Sequence, residues 1–334
     1  MKNKKYTLIL LSLIGLISLT FVISINTGSL SISTVDIIKT LFGQGSKSHN
    51  IAIFSLRLPR IILAILVGCA LALSGAILQA VTKNDLADAG ILGINSGAAL
   101  FVVVYIYFMN GNVYDGVSNT TIFTMPIVSL IGALFGTFLV YSLSYKNGIN
   151  PSRLLLIGIG INIFFTSILT IFQLRFSTQE FNRVMNWISG SIWGTNWNYV
   201  YAVLPFILIF SFITYYKSRY LDVLNLGDEI STGFGVEVES ERRKLIFVAV
   251  VLAGISTSVA GNITFLGLIS PHIARQLVGP NHKRLLPICA LVGSTILLIS
   301  DTIARNIISP MELPIGIVVS IIGVPYFLYL LLKK

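Results

Sequence analysis

The chain has 334 residues, of which 54% are hydrophobic and only 11% charged, with a formal net charge of +10 and a mean hydropathy of +0.86. A soluble domain carries about a quarter charged residues, so this chain lacks the polar surface to coat a water-exposed globule. Its basic residues are scattered at the ends of apolar runs rather than gathered in a stripe, which argues against a nucleic-acid partner. Cys69 and Cys289 are far apart and lie inside apolar runs, so neither a disulfide framework nor a metal cluster is expected.

Apolar segments recur in chain order at 7–25, 61–81, 91–108, 124–145, 153–174, 199–216, 245–262, 265–275, 285–304 and 314–332. A bilayer core takes roughly 20 apolar residues per helix, and nine of the ten segments are long enough. The first follows a basic start, but it is too long for a signal sequence and shows no small-x-small cleavage site, so it is read as a retained span. The eighth is short and holds Pro271 and His272, which predicts a broken or re-entrant helix whose backbone is satisfied by neighbouring protein. With an inner N-terminus and ten crossings, 16 of the 23 basic residues fall at inner ends. The other seven, Lys39, Lys47, Arg57, Arg60, Arg175, Arg183 and Arg305, fall at outer ends. This is the bias the positive-inside rule demands. The expected class is therefore all-α: one polytopic membrane domain over 1–334, with both termini on the inner side. No stretch outside the membrane is long enough for a separate soluble domain.

A faint internal echo accompanies this. Gly68 to Gly75 in the second span and Gly254 to Gly261 in the seventh share one spacing. Each precedes a glycine-punctuated stretch, and the two spans run in opposite directions. This is the pattern of a weak inverted repeat, although glycines also recur on helix-packing faces.

No GxxxxGK[ST] phosphate loop, HExxH, CxxC or GxSxG motif is present, so nothing in the sequence suggests an enzyme or an ATPase. Titratable residues in mid-span mark ion pathways, and they are scarce here, which weakens an ion-coupled secondary transporter. Asp301 and Arg305, at i,i+4 spacing near an outer end, read equally as a local ion pair. The longest inward loop, about 217–244, carries Leu224, Leu226, Gly227, Asp228 and Glu229, then Gly233, Phe234 and Gly235. This spacing predicts two short helices broken by glycine, shaped for a cytosolic partner to grip.

LRLPR (56–60) and GCALALSGAILQAVTKNDLADAGILGINSGAAL (68–100) resemble the second and third spans of the FecCD family. These are permease subunits of ABC importers for iron–siderophores, haem and cobalamin. The resemblance continues in NWISGSIWG (186–194), LNLGDEISTGFGV (224–236), GNITFLGLISPHIARQLVGPNHKRLLP (261–287), DTIAR (301–305), ELPIGIV (312–318) and GVPYFLYLLLKK (323–334). It implies ten spans and a second permease subunit, either a copy of this chain or a different one. It also implies two cytosolic ATPase subunits, which bind ATP and magnesium where this chain holds no cofactor. An extracytoplasmic substrate-binding protein completes the set, anchored as a lipoprotein where no outer membrane retains a soluble carrier.

The resemblance implies that Arg57, Arg60 and Arg305 dock that carrier, since arginine binds carboxylates bidentately. It implies that Leu224 to Val236 couples to the ATPase. It makes Asn84, Asp85 and Leu86, with Ser152 and Arg153 in the stretch 147–153, the inner gate. Here the chain departs from the family's Asn-Pro-Leu-Ala-x-Pro: Asp85 and Ala89 stand where prolines are usual, which frees φ at two positions. His272 is implied to be structural rather than an iron ligand. Trp187, Trp193 and Trp197 suit an interfacial aromatic belt. The implied function is import of an iron–siderophore complex across a bacterial cytoplasmic membrane, with haem or cobalamin as alternatives. The path is expected to be lined by small and apolar residues.

Overall fold

A computed structural model of the chain describes residues 2–28, 32–90, 92–108, 119–146, 151–192, 194–308 and 311–332. Among these residues every regular element is helical. The chain begins with α1 (Lys2–Asn26), followed by two short helices, α2 (Thr34–Leu41) and α3 (Lys47–Asn50). A π-helical turn over Ile51–Arg57 runs from α3 straight into α4 (Leu58–Thr82). The result is one continuous apolar rod of 36 residues, Lys47–Thr82, about 54 Å long at the α-helical rise. The run at 61–81 is therefore only the middle of this element. Pro59 has no N–H to donate to the turn before it, and the rod is π-helical immediately ahead of that point. Lys83 ends the helix in the left-handed conformation at φ 51°.

The apolar helices that follow are α5 (Ile94–Phe108), α6 (Asn119–Ser144), α7 (Pro151–Gln173) and α9 (Trp197–Tyr216). Between α7 and α9 lies α8 (Thr178–Ile188), an 11-residue helix too short to register as a span. The long polar loop then folds as α10 (Ser218–Asn225) and α11 (Asp228–Gly233), with Gly227 between them at φ 114°. These are the two short helices the sequence predicts. The next helix, α12 (Val238–Ala260), starts seven residues before the apolar run at 245, so the loop ends earlier than expected from hydropathy. Mixed-charge helix turns look like loop to a hydropathy reading.

The chain leaves α12 at Gly261 (φ 68°) and restarts a helix only after Phe265, which holds a left-handed φ of 66°. The helix that follows, α13 (Leu266–Val278), has 13 residues with Pro271 inside. At about 20 Å it is shorter than a bilayer core, as the eighth apolar segment predicts. The chain closes with α14 (His282–Asn306) and α15 (Ile315–Leu332).

Seven helical segments among the described residues are long and apolar enough to cross a membrane; α5 and α15 are shorter apolar helices. In α12 and the α4 rod, 83% and 78% of the spanning window is buried, against 22% in α1 and α7. Buried α4 and α12 are thus the central struts, and the exposed faces of α1, α7 and α9 carry apolar side chains such as Leu11, Ile163 and Phe212. That arrangement suits a lipid surround, where apolar exposure costs nothing.

Between apolar helices in lipid no hydrophobic force drives association, so close backbone approach through small residues takes over. Gly68 of α4 abuts Gly293 of α14, Gly75 abuts Gly267 of α13, and Gly97 of α5 abuts Gly132 of α6. A Cβ on Gly75 would overlap the Gly267 carbonyl, whereas one on Gly160 of α7 would meet nothing within 4 Å. Gly75→Ala should therefore destabilise the purified protein by about 1–3 kcal/mol, the usual cost of overpacking. Gly160→Ala should leave its melting temperature in detergent unchanged or slightly raised.

Candidate functional site

Three clusters stand out, one at each end of α4 and one in a cleft beside α15. At the Arg60 end, Arg60 donates from Nε to Asp301 of α14 at 2.9 Å and from Nη1 to Glu312 at 2.8 Å. Asp301 is fully buried and also faces Arg305 Nε at 3.3 Å. Arg305 donates to the Ser24 hydroxyl at 2.6 Å, and Arg57 to the Ile25 carbonyl at 2.5 Å, both on α1. The three arginines predicted to dock a partner are thus neighbours, but they are only 6%, 8% and 8% exposed. Their first contacts are inside the chain. The Asp301–Arg305 pair expected from spacing is present, and Arg60 and Glu312 enlarge it into a network that i,i+4 spacing could not reveal.

At the Lys83 end, the α10–α11 module is fastened to the helix bundle by charge. Lys83 Nζ lies 2.6 Å from Asp228 Oδ1, and Arg242 Nη2 lies 2.9 and 3.0 Å from the two Asp228 oxygens. Burial pushes the Asp228 carboxyl upward, but hydrogen bonds from Lys83 and Arg242 outweigh it and hold the group below its ordinary value. The clamp is therefore charged at neutral pH and is lost only as pH falls through that lowered value. Lys217 pairs with Glu241. Asp222 of α10 accepts from His282 Nδ1 at 2.6 Å and from its backbone N–H at 2.8 Å, tying the module to α14.

Leu224, predicted to face a partner, is instead buried at 1% exposure: it is on the inner face of α10. Leu226, before the Gly227 break, and Ile230 and Phe234, after it, are 56%, 51% and 70% exposed, an apolar stripe of outward side chains along the module. Glu229, Gly233 and Gly235 are exposed beside it.

The connector after α4 lies against α13. The side chain of Asn84 accepts from the Leu86 N–H at 2.9 Å, an Asx turn. Asp85 pairs with Arg275 of α13 at 2.5 Å. Ser152 and Arg153 belong to the first turn of α7, which packs on α5 and α6; residues 147–150 and Trp193 lie outside the described residues. His272 Nδ1 shares a hydrogen bond with the Tyr326 hydroxyl at 2.9 Å, joining α13 to α15, and Trp197 Nε1 donates to the Phe54 carbonyl at 2.7 Å. Trp187 is half-buried on α8.

A cleft of about 660 Å³ opens between α15, the extended stretch at 262–264 and the end of α8. Ser189, Asn262, Thr264 and Ser320 supply its polar groups; Gly316 and aliphatic residues supply the rest, with no charged side chain in the lining. Gly190 (φ 82°) and Gly316 let the two walls touch, with the Gly316 N–H donating to the Gly190 carbonyl at 3.2 Å. Most of these lining residues fall inside the family-like motifs at 186–194, 261–287, 312–318 and 323–334, but their ordinary uncharged side chains gave no sign in the sequence that they share one cleft. Long apolar helices, ionic networks at the two ends of α4 and an uncharged cleft beside α15 are the build of a multi-pass membrane protein.

The chain belongs to the FecCD transport family, whose sequence pattern matches residues 16–333. It is 47% identical over 332 residues to the iron(3+)-hydroxamate import system permease protein FhuG of Bacillus subtilis, covering 99% of this chain and 98% of that one. It is 35% identical over 312 residues to the hemin transport system permease protein HmuU of Yersinia pestis, covering 93% and 91%. A solved structure described as an inward-facing conformation of a metal-chelate type ABC transporter superposes with a TM-score of 0.84 at 33% identity, covering 98% and 99%.

Asp301 is shared by two guanidinium groups, so Asp301→Ala leaves uncompensated buried charge and should cost about 3–5 kcal/mol. Glu312, at 31% side-chain exposure, is a rim partner, and Glu312→Ala should cost about 1 kcal/mol or less. Melting curves of the two purified variants check the ranking.

Proposed function

We propose that this chain is one permease subunit of an ABC importer for an iron chelate, with a ferric siderophore of the hydroxamate type as its cargo. The observation that carries the reading is the α10–α11 module. Asp228, Asp222 and Lys217 tie it to three bundle elements, the end of α4, α12 and α14, yet Leu226, Ile230 and Phe234 are turned outward. A module anchored to the bundle with an apolar outward stripe suits a partner that pushes on the membrane domain. In this reading the stripe and Glu229 seat in a cytosolic ATPase, and Leu224, Gly227 and Asp228 hold the module in shape. The buried carboxylates Asp88 and Asp301 are engaged with backbone and with arginine, which leaves an ion-coupled mechanism without favour.

The membrane domain spans the whole chain, with ten crossings once α5, α13 and α15 join the seven long helices. Both termini and the Lys83 end then face the cytoplasm, as the charge bias asks. An inverted repeat is supported by exchange packing: α4 packs on α14 and α13, while α12, its counterpart, packs on α6 and α5. The outer end receives a substrate-binding protein, a lipoprotein in cells with a single membrane. Arg57, Arg60 and Arg305 serve that docking by exchanging partners. Glu312 is the one exposed carboxylate of their network, so a carrier carboxylate displaces it before Asp301. The uncharged cleft forms one wall of the path in a pair of permease subunits, alike or different. A neutral, bulky chelate passes such a wall without being held by ion pairs. Asn84, Asp85, Leu86, Ser152 and Arg153 lie toward the inner mouth.

Co-expression with the cognate ATPase tests this. The ATPase should co-purify with the wild-type chain, and ferric hydroxamate uptake into proteoliposomes should require carrier and ATP. Phe234→Asp places a charge in an apolar seat, and Gly227→Pro forbids φ 114°. Each should detach the ATPase and abolish uptake. Uptake by the chain alone, driven by an ion gradient, would refute the reading.

A further inference from the structure

The connector 83–90 is pinned at two points facing different elements. Lys83, at the left-handed end of α4, reaches Asp228 at the start of α11. Two residues later Asp85 reaches Arg275 on the last turn of α13. Arg275 also donates to Gln79 Oε1 at 3.2 Å, and Gln79 Nε2 donates to the Leu268 carbonyl in the first turn of α13. Farther on, Asp88 turns its carboxylate to the Ala89 N–H and lies against Gly267. The connector therefore grips α13 near both its ends and grips α11 by a single lysine.

From this geometry we propose that Asp85 and Arg275 are positioning residues that, with Lys83 and Asp228, pass movement of the α10–α11 module to α13. The inference rests on the ATP-driven permease reading. Its physical basis is the mismatch between where these charges sit and what they contribute to stability. The side chains of Asp85 and Asp228 are 53% and 49% exposed, and exposed ion pairs add little to folding. An exposed pair can break and re-form at small cost, which suits a contact remade in each cycle. The buried part of the connector, Ala87 to Ala89, is held by packing and backbone bonds instead. Movement of α11 thus has one polar handle on the connector, and the connector has one exposed polar handle on the far end of α13. Since α13 also joins α15 through His272 and Tyr326, displacement of α13 reaches the cleft wall.

The test uses the complete transporter with carrier and ATPase in proteoliposomes, measuring ferric hydroxamate uptake and ATP hydrolysis together. Asp85→Asn, Arg275→Gln and Lys83→Met should leave the melting temperature and carrier-stimulated hydrolysis near wild type. Uptake per ATP should fall about tenfold, within the usual span of coupling between two sites. The paired reversal Asp85→Arg with Arg275→Asp, and the conservative Arg275→Lys, should restore most of the uptake. Wild-type uptake in the single variants overturns the proposal. So does equal loss of hydrolysis and uptake, or failure of both Arg275→Lys and the reversal to rescue a folded protein. If the wild-type complex itself imports without ATP, the permease reading fails and the positioning role falls with it.

Discussion

Interrupting a helix inside an apolar bundle exposes backbone groups that lipid cannot satisfy, and much of this structure answers that one difficulty. Between Gly261 and Leu266 the chain is non-helical and buried or half-buried throughout. At the break the Gly261 N–H donates to the Thr257 carbonyl and the Phe265 carbonyl accepts from the Leu268 and Ile269 N–H groups, while the Asn262 side chain accepts from Asn95 at 3.0 Å and the Leu268 carbonyl from Gln79 at 3.1 Å. Gly75 and Gly267 remove the side chains that would keep α4 and α13 apart. An unsatisfied buried amide costs several kcal/mol in such surroundings, so a break here calls for polar groups close by, and Asn95 and Gln79 supply them around it. The interruption also creates the cleft, because irregular backbone is tolerated only where it lines a cavity or is covered by protein.

Charge is handled by segregation. Ionic clusters occupy the two ends of α4, and the cleft beside α15 carries no charged side chain. The two clusters differ in depth. Asp301, Arg60 and Arg305 form a desolvated network that locks α1, α4 and α14 together, whereas Lys83, Asp85 and Asp228 sit in half-exposed pairs that bind little and release readily. Depth in the bundle, rather than the number of ion pairs, separates the two ends, with Glu312 the half-exposed rim of the deeper one.

Much of the architecture could be read from residue order. Runs of apolar residues located the long helices, Pro271 and a short run marked the broken one, and glycines at 227 and 235 divided the polar loop. Reading failed where short amphipathic helices replaced runs: α2, α3 and α8 fall below spanning length, and the charged first turns of α12 passed for loop. It failed again for Leu224, since a polar loop offers no regular stripe to say which leucine turns inward. The arginines at 57, 60 and 305 lie together, but their side chains turn into the bundle: Arg60 to Asp301 and Glu312, 241 and 252 positions away, Arg305 to Asp301 and Ser24, and Arg57 to the Ile25 carbonyl.

The sequence by itself determined that this is an all-helical membrane protein of the FecCD type, because bilayer thickness converts directly into the length of an apolar run and family motifs persist in order. The tertiary structure alone decided which charges are partners, which loop face is open and where the cleft lies. Those depend on contacts such as Arg60 with Asp301, Asp85 with Arg275 and Asn95 with Asn262, each spanning more than 150 positions. No local periodicity encodes them; they exist only once glycine-mediated packing has brought α4, α5, α13 and α14 together.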